Sequence, residues 1–273
     1  MNFLLINGKP GDSVSAFDRG FQYGDGIFET LAVAGGEPLL WDRHMRRFFH
    51  GAARLGIEAP AGELLRREAA QVCRGAKRGV LKIILTRGVS GRGYAAVAGT
   101  TPTRTVGLLP WPDYPVERRT HGVPVQFCHT LLARHNVLAG LKHLNRLEQV
   151  LARRELSGDC VEGLMQDETG HVIEGTMTNL FVVSNGVLQT PDLSLCGVAG
   201  VMRELVLERA AALSTGCRVT GLKRENILDA DEVFLTNSLV GVWPVRRIES
   251  REYPVGPITR RIQEAVRDAT VAD

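Results

Sequence analysis

The chain has 273 residues, 44% of them apolar and 23% charged, and 33 basic against 30 acidic residues give a net charge of +3. This composition is typical of a globular protein, and no long run of like charge indicates binding to nucleic acid or to a membrane. The opening segment MNFLLINGKP has too short an apolar run for a signal peptide, so we expect a cytoplasmic protein. Five scattered cysteines and the spacing of the histidines predict no disulfide framework and no metal site.

The first half of the sequence predicts an antiparallel sheet covered by two helices. Phe3 to Ile6 forms a short apolar strand, and residues 28–40 form a hairpin that turns at Gly35-Gly36. Two amphipathic helices follow, the second from about Gly62 to Ala76. A glycine-rich loop at 87–102 lies between two further strands. Because no helix follows this loop, it does not fit a dinucleotide-binding turn.

A proline-rich segment near residue 118 predicts a domain boundary. It carries three prolines in the run WPDYPVERRTHGVP. We therefore expect a small α/β domain at 1–117 and a larger α/β domain at 118–273, which carries the lysine discussed next. Two hairpins in the second half turn at residues 168–170 and at Asn185-Gly186. The predicted fold class is α+β (α/β) in two domains.

Residues 140–155, GLKHLNRLEQVLARRE, predict an amphipathic helix with one lysine at its start. Leu144, Leu147 and Leu151 recur at helical spacing and are expected to face a core. The polar face carries Lys142, Asn145, Arg146 and Gln149. A lone lysine is usually exposed and inert. Lys142 becomes the candidate catalytic residue only when other polar positions are considered with it.

Two polar clusters have both a structural and a functional interpretation. Arg43, Arg46 and Arg47 lie in the first turn of a predicted helix, where the helix dipole favours anions. They are either solvated or part of an anion site. Glu174 ends a predicted strand, and small hydroxyl residues lead from it to Asn179. This run fits a plain turn as well as a ligand contact.

Two further positions could bind phosphate. The helix start at Val201 and Met202 offers backbone N–H groups at the positive end of a helix dipole. Thr236, Asn237 and Ser238 lie where a predicted strand ends, and they form either a simple strand end or a hydroxyl cluster for phosphate oxygens. Each signal is weak by itself, because helix starts and strand ends are common.

These clusters together fit a ligand that has an aldehyde, a basic ring nitrogen and a phosphate. Pyridoxal 5'-phosphate has all three groups. It needs a lysine to bond its aldehyde, a carboxylate beside its ring nitrogen and donors for its phosphate. Lys142, Glu174, Arg47 and the helix start at Val201-Met202 supply these roles in the sequence.

Five motifs that occur in order along nearly the whole chain strengthen this interpretation. They are DRGFQYGDGIFET at 18–30, His44-x-x-Arg47, Glu174-Gly-x-x-x-Asn179, Gly200-Val-Met-Arg203 and Thr236-Asn-Ser238. Together they resemble the fold type IV pyridoxal-phosphate enzymes, a family of branched-chain and D-amino acid aminotransferases and aminodeoxychorismate lyases. The resemblance implies a two-domain subunit with an antiparallel-sheet N-terminal domain and a larger pseudo-barrel C-terminal domain. It also implies a homodimer and a small-molecule substrate.

Within this family, three features look like the lyase branch. They are LKHLNRLEQV around Lys142, SGRGY at 90–94, and Phe28 at a point where the aminotransferases commonly have tyrosine. The resemblance implies conversion of 4-amino-4-deoxychorismate to 4-aminobenzoate and pyruvate, a step towards folate. Arg92 and Arg146 are the candidates for the substrate carboxylates, and Lys142 would be both cofactor carrier and acid/base.

Two alternatives stay open at the level of sequence. The hydroxyl-rich run 175–179 looks as much like an aminotransferase as a lyase, so a D-amino acid or branched-chain aminotransferase is the first alternative. The second is a non-catalytic protein that binds pyridoxal phosphate, in which Lys142 would be unreactive.

Overall fold

A computed structural model describes residues 3–97 and 99–270. The chain divides into two compact units. Unit 1 holds the chain through Pro112 together with Leu141–Asn145, and unit 2 holds Asp113–Gly140 and the chain from Arg146 onward.

Unit 1 is a six-stranded antiparallel sheet with two long helices on one face. Its strands are β1 (Phe3–Ile6), β2 (Lys9–Pro10), β3 (Gly26–Ala34), β4 (Glu37–Pro38), β5 (Arg78–Thr86) and β6 (Thr103–Leu109). Its helices are α1 (Arg19–Tyr23), α2 (Trp41–Leu55) and α3 (Gly62–Cys73). The strand order is β2-β1-β6-β5-β3-β4. The predicted hairpin is confirmed, because β3 pairs antiparallel with β4 across Gly35-Gly36.

Side-chain alternation gives this sheet two different faces. Ile27, Leu31 and Leu81 belong to the core formed with α2 and α3. Phe28 and Lys82, which alternate with those residues along β3 and β5, therefore point to the opposite face. That second face is only half-buried at both residues.

Unit 2 is built on a sheet that closes on itself. Its strands are β7 (Val123–Phe127), β8 (Glu162–Gln166), β9 (Val172–Gly175), β10 (Asn179–Ser184), β11 (Val187–Pro191), β12 (Cys217–Thr220), β13 (Glu232–Asn237), β14 (Gly241–Ile248) and β15 (Arg251–Glu252). Its helices are α4 (Glu117–Thr120), α5 (Leu147–Arg154), α6 (Val201–Ala212), α7 (Arg224–Leu228) and α8 (Pro257–Ala265), with a 3-10 turn at Arg267–Ala269.

The ring in unit 2 runs β10-β13-β14-β7-β8-β9 and returns to β10. A pairing of Asn179 with Glu174 closes it. Its core contains Leu164, Leu180 and Trp243. The expected pseudo-barrel is therefore confirmed, as are the hairpins at 168–170 and Asn185-Gly186.

The helix predicted from residue 140 was placed too early. Residues 141–145 are extended along β3: the Phe28 N–H donates to the Lys142 carbonyl at 2.9 Å, and the Leu144 N–H donates to the Gly26 carbonyl at 2.9 Å. Because these backbone groups already make their hydrogen bonds with β3, no helical hydrogen bonds are required in this segment. This pairing also places Lys142 with unit 1, whereas the sequence interpretation assigned it to the second domain.

The predicted faces of that helix were also wrong. Helix α5 begins at Leu147, whose side chain is 74% exposed, and Leu151 is exposed as well. Gln149, expected on the polar face, is buried instead. Leu147 and Leu151, although they recur at helical spacing, therefore lie on the surface of the protein and do not pack in its core. Within the described residues, no helix is both long and apolar enough to cross a membrane.

Candidate active site

Lys142 lies against the ring of Phe28. Its Nζ is 4.4 Å from the ring centroid, a distance at which an ammonium group is attracted by the aromatic face. The pairing of residues 141–145 with β3 fixes this contact, since Phe28 and Lys142 share a backbone hydrogen bond. The structure thus brings together two of the residues that the sequence predicted for the site.

A second amine lies over the same ring. Lys82 Nζ is 4.6 Å from the Phe28 centroid. Burial lowers the pKa of the Lys82 ammonium below its ordinary value. The sequence analysis missed this residue. The signal was present, because a lysine in the middle of the apolar strand VLKIILT must turn to a face that the core does not occupy.

On the opposite face of β3, Glu29 is buried between two cationic or basic groups of α2. Arg47 Nε donates to Glu29 Oε1 at 2.8 Å, and an Arg47 terminal nitrogen donates to Glu29 Oε2 at 2.6 Å. His44 Nδ1 lies 2.6 Å from Glu29 Oε2. Burial opposes ionisation of Glu29, but the charge and hydrogen bonds of Arg47 and His44 outweigh it and lower the pKa to about 2.

His44 is neutral near pH 7 in this network. Burial lowers the pKa of its imidazole, although the Glu29 carboxylate acts in the other direction. A neutral ring that donates through Nδ1 to Glu29 presents Nε2 as a bare acceptor. Nε2 is buried and finds no hydrogen-bond partner in the part of the chain that the structure describes.

Arg47 was predicted to bind phosphate. The structure shows a bidentate pair with Glu29 that orients the guanidinium group. Its role towards a phosphate stays a prediction. Glu29, which the sequence analysis did not select, is the residue that positions both Arg47 and His44.

In unit 2, Glu174 and Asn179 share one hydrogen-bonded cluster. Glu174 is buried, and its Oε2 accepts from the Val198 N–H at 2.8 Å and from Asn179 Nδ2 at 3.4 Å. Asn179 Nδ2 also donates to the Val198 carbonyl at 2.9 Å. Two residues selected from sequence are therefore adjacent, and a backbone N–H fixes one carboxylate oxygen.

The start of α6 adjoins this cluster. Gly200 is the N-cap of α6, and among the described residues no side chain caps it. A Cβ at Gly200 would lie 1.9 Å from Asn179 Oδ1, so a larger residue there would displace either Asn179 or the helix start. Val201 and Met202 begin the helix and are buried. The backbone N–H groups of this first turn therefore lie beside Asn179 without a side-chain acceptor, as an anion site requires.

The end of β13 lies beside the same cluster, because Thr236 of β13 pairs with Asn179 of β10. The side chain of Asn237 is hydrogen-bonded within the protein. Its Oδ1 accepts from the Leu239 and Val240 N–H groups at 2.8 and 2.9 Å, and its Nδ2 donates to the Met177 carbonyl at 3.2 Å.

The sequence analysis favoured Asn237 and the half-buried Ser238 at this strand end. Among the described residues, the side-chain atom that lacks a hydrogen-bond partner there belongs to Thr236. Thr236 Oγ1 is buried and unbonded within residues 3–97 and 99–270. The choice of Asn237 and Ser238 as cofactor-binding residues stays a prediction.

The turn between Glu174 and Asn179 is held by a carboxylate that sequence reasoning missed. Glu162 on β8 is completely buried, and its oxygens accept from the N–H groups of Gly163, Thr176 and Met177 at 2.9, 3.1 and 3.2 Å. The hydroxyls of Thr176 and Thr178 also donate to it. One buried acidic side chain therefore fixes the hydroxyl-rich run.

The two arginines predicted for the substrate carboxylates have different surroundings. Arg92 is exposed on a loop of unit 1, where Arg19 donates to the neighbouring carbonyls of Gly93 and Tyr94 at 2.9 Å each. Arg146 is half-buried and is the N-cap of α5 in unit 2. Both assignments stay predictions.

Comparison with known proteins places this arrangement in a family. A crystal structure of 4-amino-4-deoxychorismate lyase from Pseudomonas aeruginosa is 46% identical, covers 97% of this chain and 98% of its own, and superposes with a TM-score of 0.92. Aminodeoxychorismate lyase of Vibrio harveyi is 37% identical over 263 residues, 94% of this chain and 97% of its own length. D-alanine aminotransferase of Bacillus licheniformis is 26% identical over 280 residues, 99% of this chain and 98% of its own.

The family model described as amino-transferase class IV matches residues 26–248. This range begins with β3, which carries Phe28 and Glu29, and includes Lys142, Glu174 and Asn179. The chain belongs to the amino-transferase class IV family.

Proposed function

We propose that this protein is a pyridoxal-phosphate-dependent lyase that converts 4-amino-4-deoxychorismate to 4-aminobenzoate and pyruvate. One observation carries the proposal: two relatives named for this lyase activity match almost the full chain at 46% and 37% identity, whereas the D-alanine aminotransferase matches at 26%. Family membership alone would leave lyase and aminotransferase equally open.

The side chains present fit the cofactor. Lys142, whose Nζ lies over the Phe28 ring, supplies the amine for the cofactor aldehyde. Glu174 supplies a buried carboxylate for the ring nitrogen. The uncapped start of α6 at Val201-Met202 and the unbonded Thr236 Oγ1 supply donors for phosphate oxygens. We also assign Arg47, Asn179, Asn237 and Ser238 to the cofactor's surroundings.

When bound, the cofactor supplies an electron sink for the carbon that carries the substrate nitrogen. Lys142 Nζ takes the proton from that carbon and returns a proton to the departing enolpyruvyl group, which leaves as pyruvate. No other reactant is consumed, because the atoms of the substrate are divided between 4-aminobenzoate and pyruvate. The Phe28 ring, 4.4 Å from Lys142 Nζ, positions this amine.

The second candidate is a D-amino acid or branched-chain aminotransferase. The match to a D-alanine aminotransferase over 99% of this chain supports it. In that case Lys142 would move a proton between the amino acid carbon and the cofactor carbon, and turnover would require a keto acid.

We further propose that the protein is a cytoplasmic homodimer. All five cysteines are free thiols, as is typical of a reducing compartment. The homodimer is what the resemblance to the fold type IV pyridoxal-phosphate enzymes implies. Light scattering of the purified protein should give twice the chain mass of 29.8 kDa, and a monomer mass would contradict this part of the proposal.

The decisive experiment incubates the holoprotein with fresh aminodeoxychorismate and measures 4-aminobenzoate and pyruvate together. Equimolar products, formed without a keto acid, support the lyase. Failure to form either product, combined with keto-acid-dependent transamination of D-alanine or a branched-chain amino acid, would transfer the assignment to the aminotransferase.

Two further measurements test Lys142 itself. Lys142→Ala should abolish turnover, and the exposed Lys77→Ala serves as its matched control. Borohydride reduction of the holoprotein should add the mass of the cofactor at Lys142. A wild-type protein that binds the cofactor without this mass change would be a non-catalytic binder.

A further inference from the structure

Unit 2 contains a cavity of about 150 Å³ whose lining residues do not include the candidate cofactor residues. Part of its wall is apolar and consists of Val172, Ile173 and Leu222. Two charged side chains, Arg134 and Asp167, also line it. A cavity of this volume holds a ligand about as large as benzene. The cavity therefore has the size of one small ring, and its polar groups indicate which ring.

The carboxylate of Asp167 uses only one of its two oxygens within the protein. Oδ1 accepts from the N–H and the hydroxyl of Thr169 at 2.9 and 2.8 Å, and from the His171 N–H at 3.0 Å. Oδ2 accepts no hydrogen bond from the residues that the structure describes, although Asp167 is only 5% exposed. Burial opposes ionisation of Asp167, but the hydrogen bonds from Thr169 and His171 outweigh it and lower the pKa. A buried charged oxygen without a donor costs free energy.

Arg134 faces this second oxygen without bonding to it. Its Nε lies 3.8 Å from Asp167 Oδ2, which is within the range of an ion pair but too far for a hydrogen bond. In the described part of the chain, the five N–H donors of its guanidinium group make no hydrogen bond. The Leu132 N–H donates to the Gln166 carbonyl at 2.8 Å, which fixes the backbone just before Arg134. The cavity thus presents a donor and an acceptor side by side.

This pair of groups is complementary to the edge of a lactam or of a primary carboxamide. Such an edge carries an N–H donor and a carbonyl acceptor side by side, with nitrogen and oxygen roughly 2.3 Å apart as the bond lengths require. Hydrogen bonds of about 2.9 Å from these two atoms reach two protein atoms that lie 3.8 Å apart. A carboxylate fits less well, because it has no donor for Asp167 and repels its charge.

We propose that this cavity of unit 2 binds a small uncharged ring that carries a lactam or a primary carboxamide. The N–H of the ligand donates to Asp167 Oδ2, its carbonyl accepts from Arg134, and its ring packs on Val172, Ile173 and Leu222. The inference goes beyond the proposed lyase reaction, because neither the substrate, the products nor the cofactor of that reaction contains an amide.

A matched pair of probes tests the site: the lactam 2-piperidone and its lactone counterpart δ-valerolactone, in which an oxygen replaces the N–H. Ligand-observed NMR titration of the holoprotein measures both affinities. The wild type should bind the lactam about tenfold more tightly, because only the lactam has a donor for Asp167. Asp167→Asn keeps one oxygen for Thr169 and His171 but presents an N–H group to the cavity. It should remove the preference for the lactam.

Arg134→Met gives a second, independent readout. It should weaken both probes about tenfold, because both carbonyls lose the same donor. This variant loses no internal hydrogen bond of the described residues, so its thermal transition should match that of the wild type. It therefore keeps the test valid if Asp167→Asn folds poorly. Arg154→Met, at an exposed arginine of α5, is the matched control and should bind both probes as the wild type does.

Absence of saturable binding of 2-piperidone would mean that the cavity holds water only and would overturn the proposal. A preference for the lactam that persists in Asp167→Asn, or affinities that Arg134→Met leaves unchanged, would overturn it as well. These outcomes are separable from the reaction. Lactam binding by a protein that forms neither 4-aminobenzoate nor pyruvate would keep this site and remove the lyase, and the converse result would keep the lyase and remove this site.

Discussion

Glu174 and Asn179 form the cross-strand pair between β9 and β10 that closes the ring of unit 2. Their side chains are also in contact, since Asn179 Nδ2 donates to Glu174 Oε2 at 3.4 Å. The backbone that completes the barrel is thus the backbone that sets the position of the candidate cofactor carboxylate. Rigid strands position functional groups more accurately than loops do.

Glu174→Gln should lower kcat about a hundredfold, because a neutral amide cannot supply the charge that favours a protonated ring nitrogen. The amide oxygen can still accept from the Val198 N–H, so the thermal transition should change little. Steady-state kinetics and a thermal melt measure both. Glu168→Gln, at an exposed turn, is the control, and an unchanged kcat in Glu174→Gln would exclude the carboxylate from the chemistry.

Gly200→Ala should weaken cofactor binding and destabilise unit 2 by about 1–3 kcal/mol. The added Cβ would lie 1.9 Å from Asn179 Oδ1, so either Asn179 or the first turn of α6 must move. The dissociation constant of the cofactor and the unfolding free energy test this. Gly91→Ala has no heavy atom within 4 Å of the added Cβ and should behave as the wild type does. If Gly200→Ala bound the cofactor as tightly as the wild type does, the start of α6 would not be part of the phosphate site.

Glu162→Ala should cost about 2–4 kcal/mol of unfolding free energy, because the buried and partly buried donors of the turn at 175–178 lose their acceptor. Denaturant unfolding measures the loss, and Glu252→Ala on the exposed strand β15 is the control. Activity should fall as well, since this turn connects Glu174 to Asn179. A variant as stable as the wild type would show that water or another group replaces the carboxylate.

The Glu29 network predicts a specific dependence of stability on pH. The pKa of Glu29 falls from 4.5 in the unfolded chain to about 2 in the folded protein. A depressed carboxyl pKa contributes stability that is fully present above pH 4.5 and is lost as the pH falls through 4.5 towards 2, about 3 kcal/mol in total.

Unfolding free energies of the wild type and of Glu29→Gln, measured from pH 7 down to pH 2, test this window. The difference should be largest above pH 4.5 and should shrink as the pH approaches 2. The exposed Glu58→Gln is the matched control. A difference that is constant over the whole range would mean that Glu29 titrates in the folded protein as it does in the unfolded chain.

Local chemistry made part of the fold predictable from sequence. Asn185-Gly186 and Gly35-Gly36 adopt positive φ angles, and such residues between apolar runs specify tight hairpins. Residues 141–145 could not be predicted in this way. Their extended form depends on pairing with β3, more than a hundred positions earlier, and the leucine spacing that suggested a helix continues into α5.

The candidate site was predictable where a motif contained the residue, as for Lys142 and Glu174. Glu29 and Lys82 were missed because each is a charged residue inside an apolar strand, and Glu162 was missed because it begins one. Such a residue is identified by what faces it: Arg47 and His44 for Glu29, the Phe28 ring for Lys82, and a turn of N–H donors for Glu162. Those partners are set by tertiary structure.

The assignment of Leu141–Asn145 to unit 1 has a practical consequence for protein engineering. The chain enters unit 2 at Asp113, leaves it for five residues and returns at Arg146. A gene fragment that stops at Pro112 would therefore encode the sheet of unit 1 without Lys142, the candidate catalytic residue. An exchange of this unit between relatives must transplant two separate stretches of sequence, one of which is only five residues long.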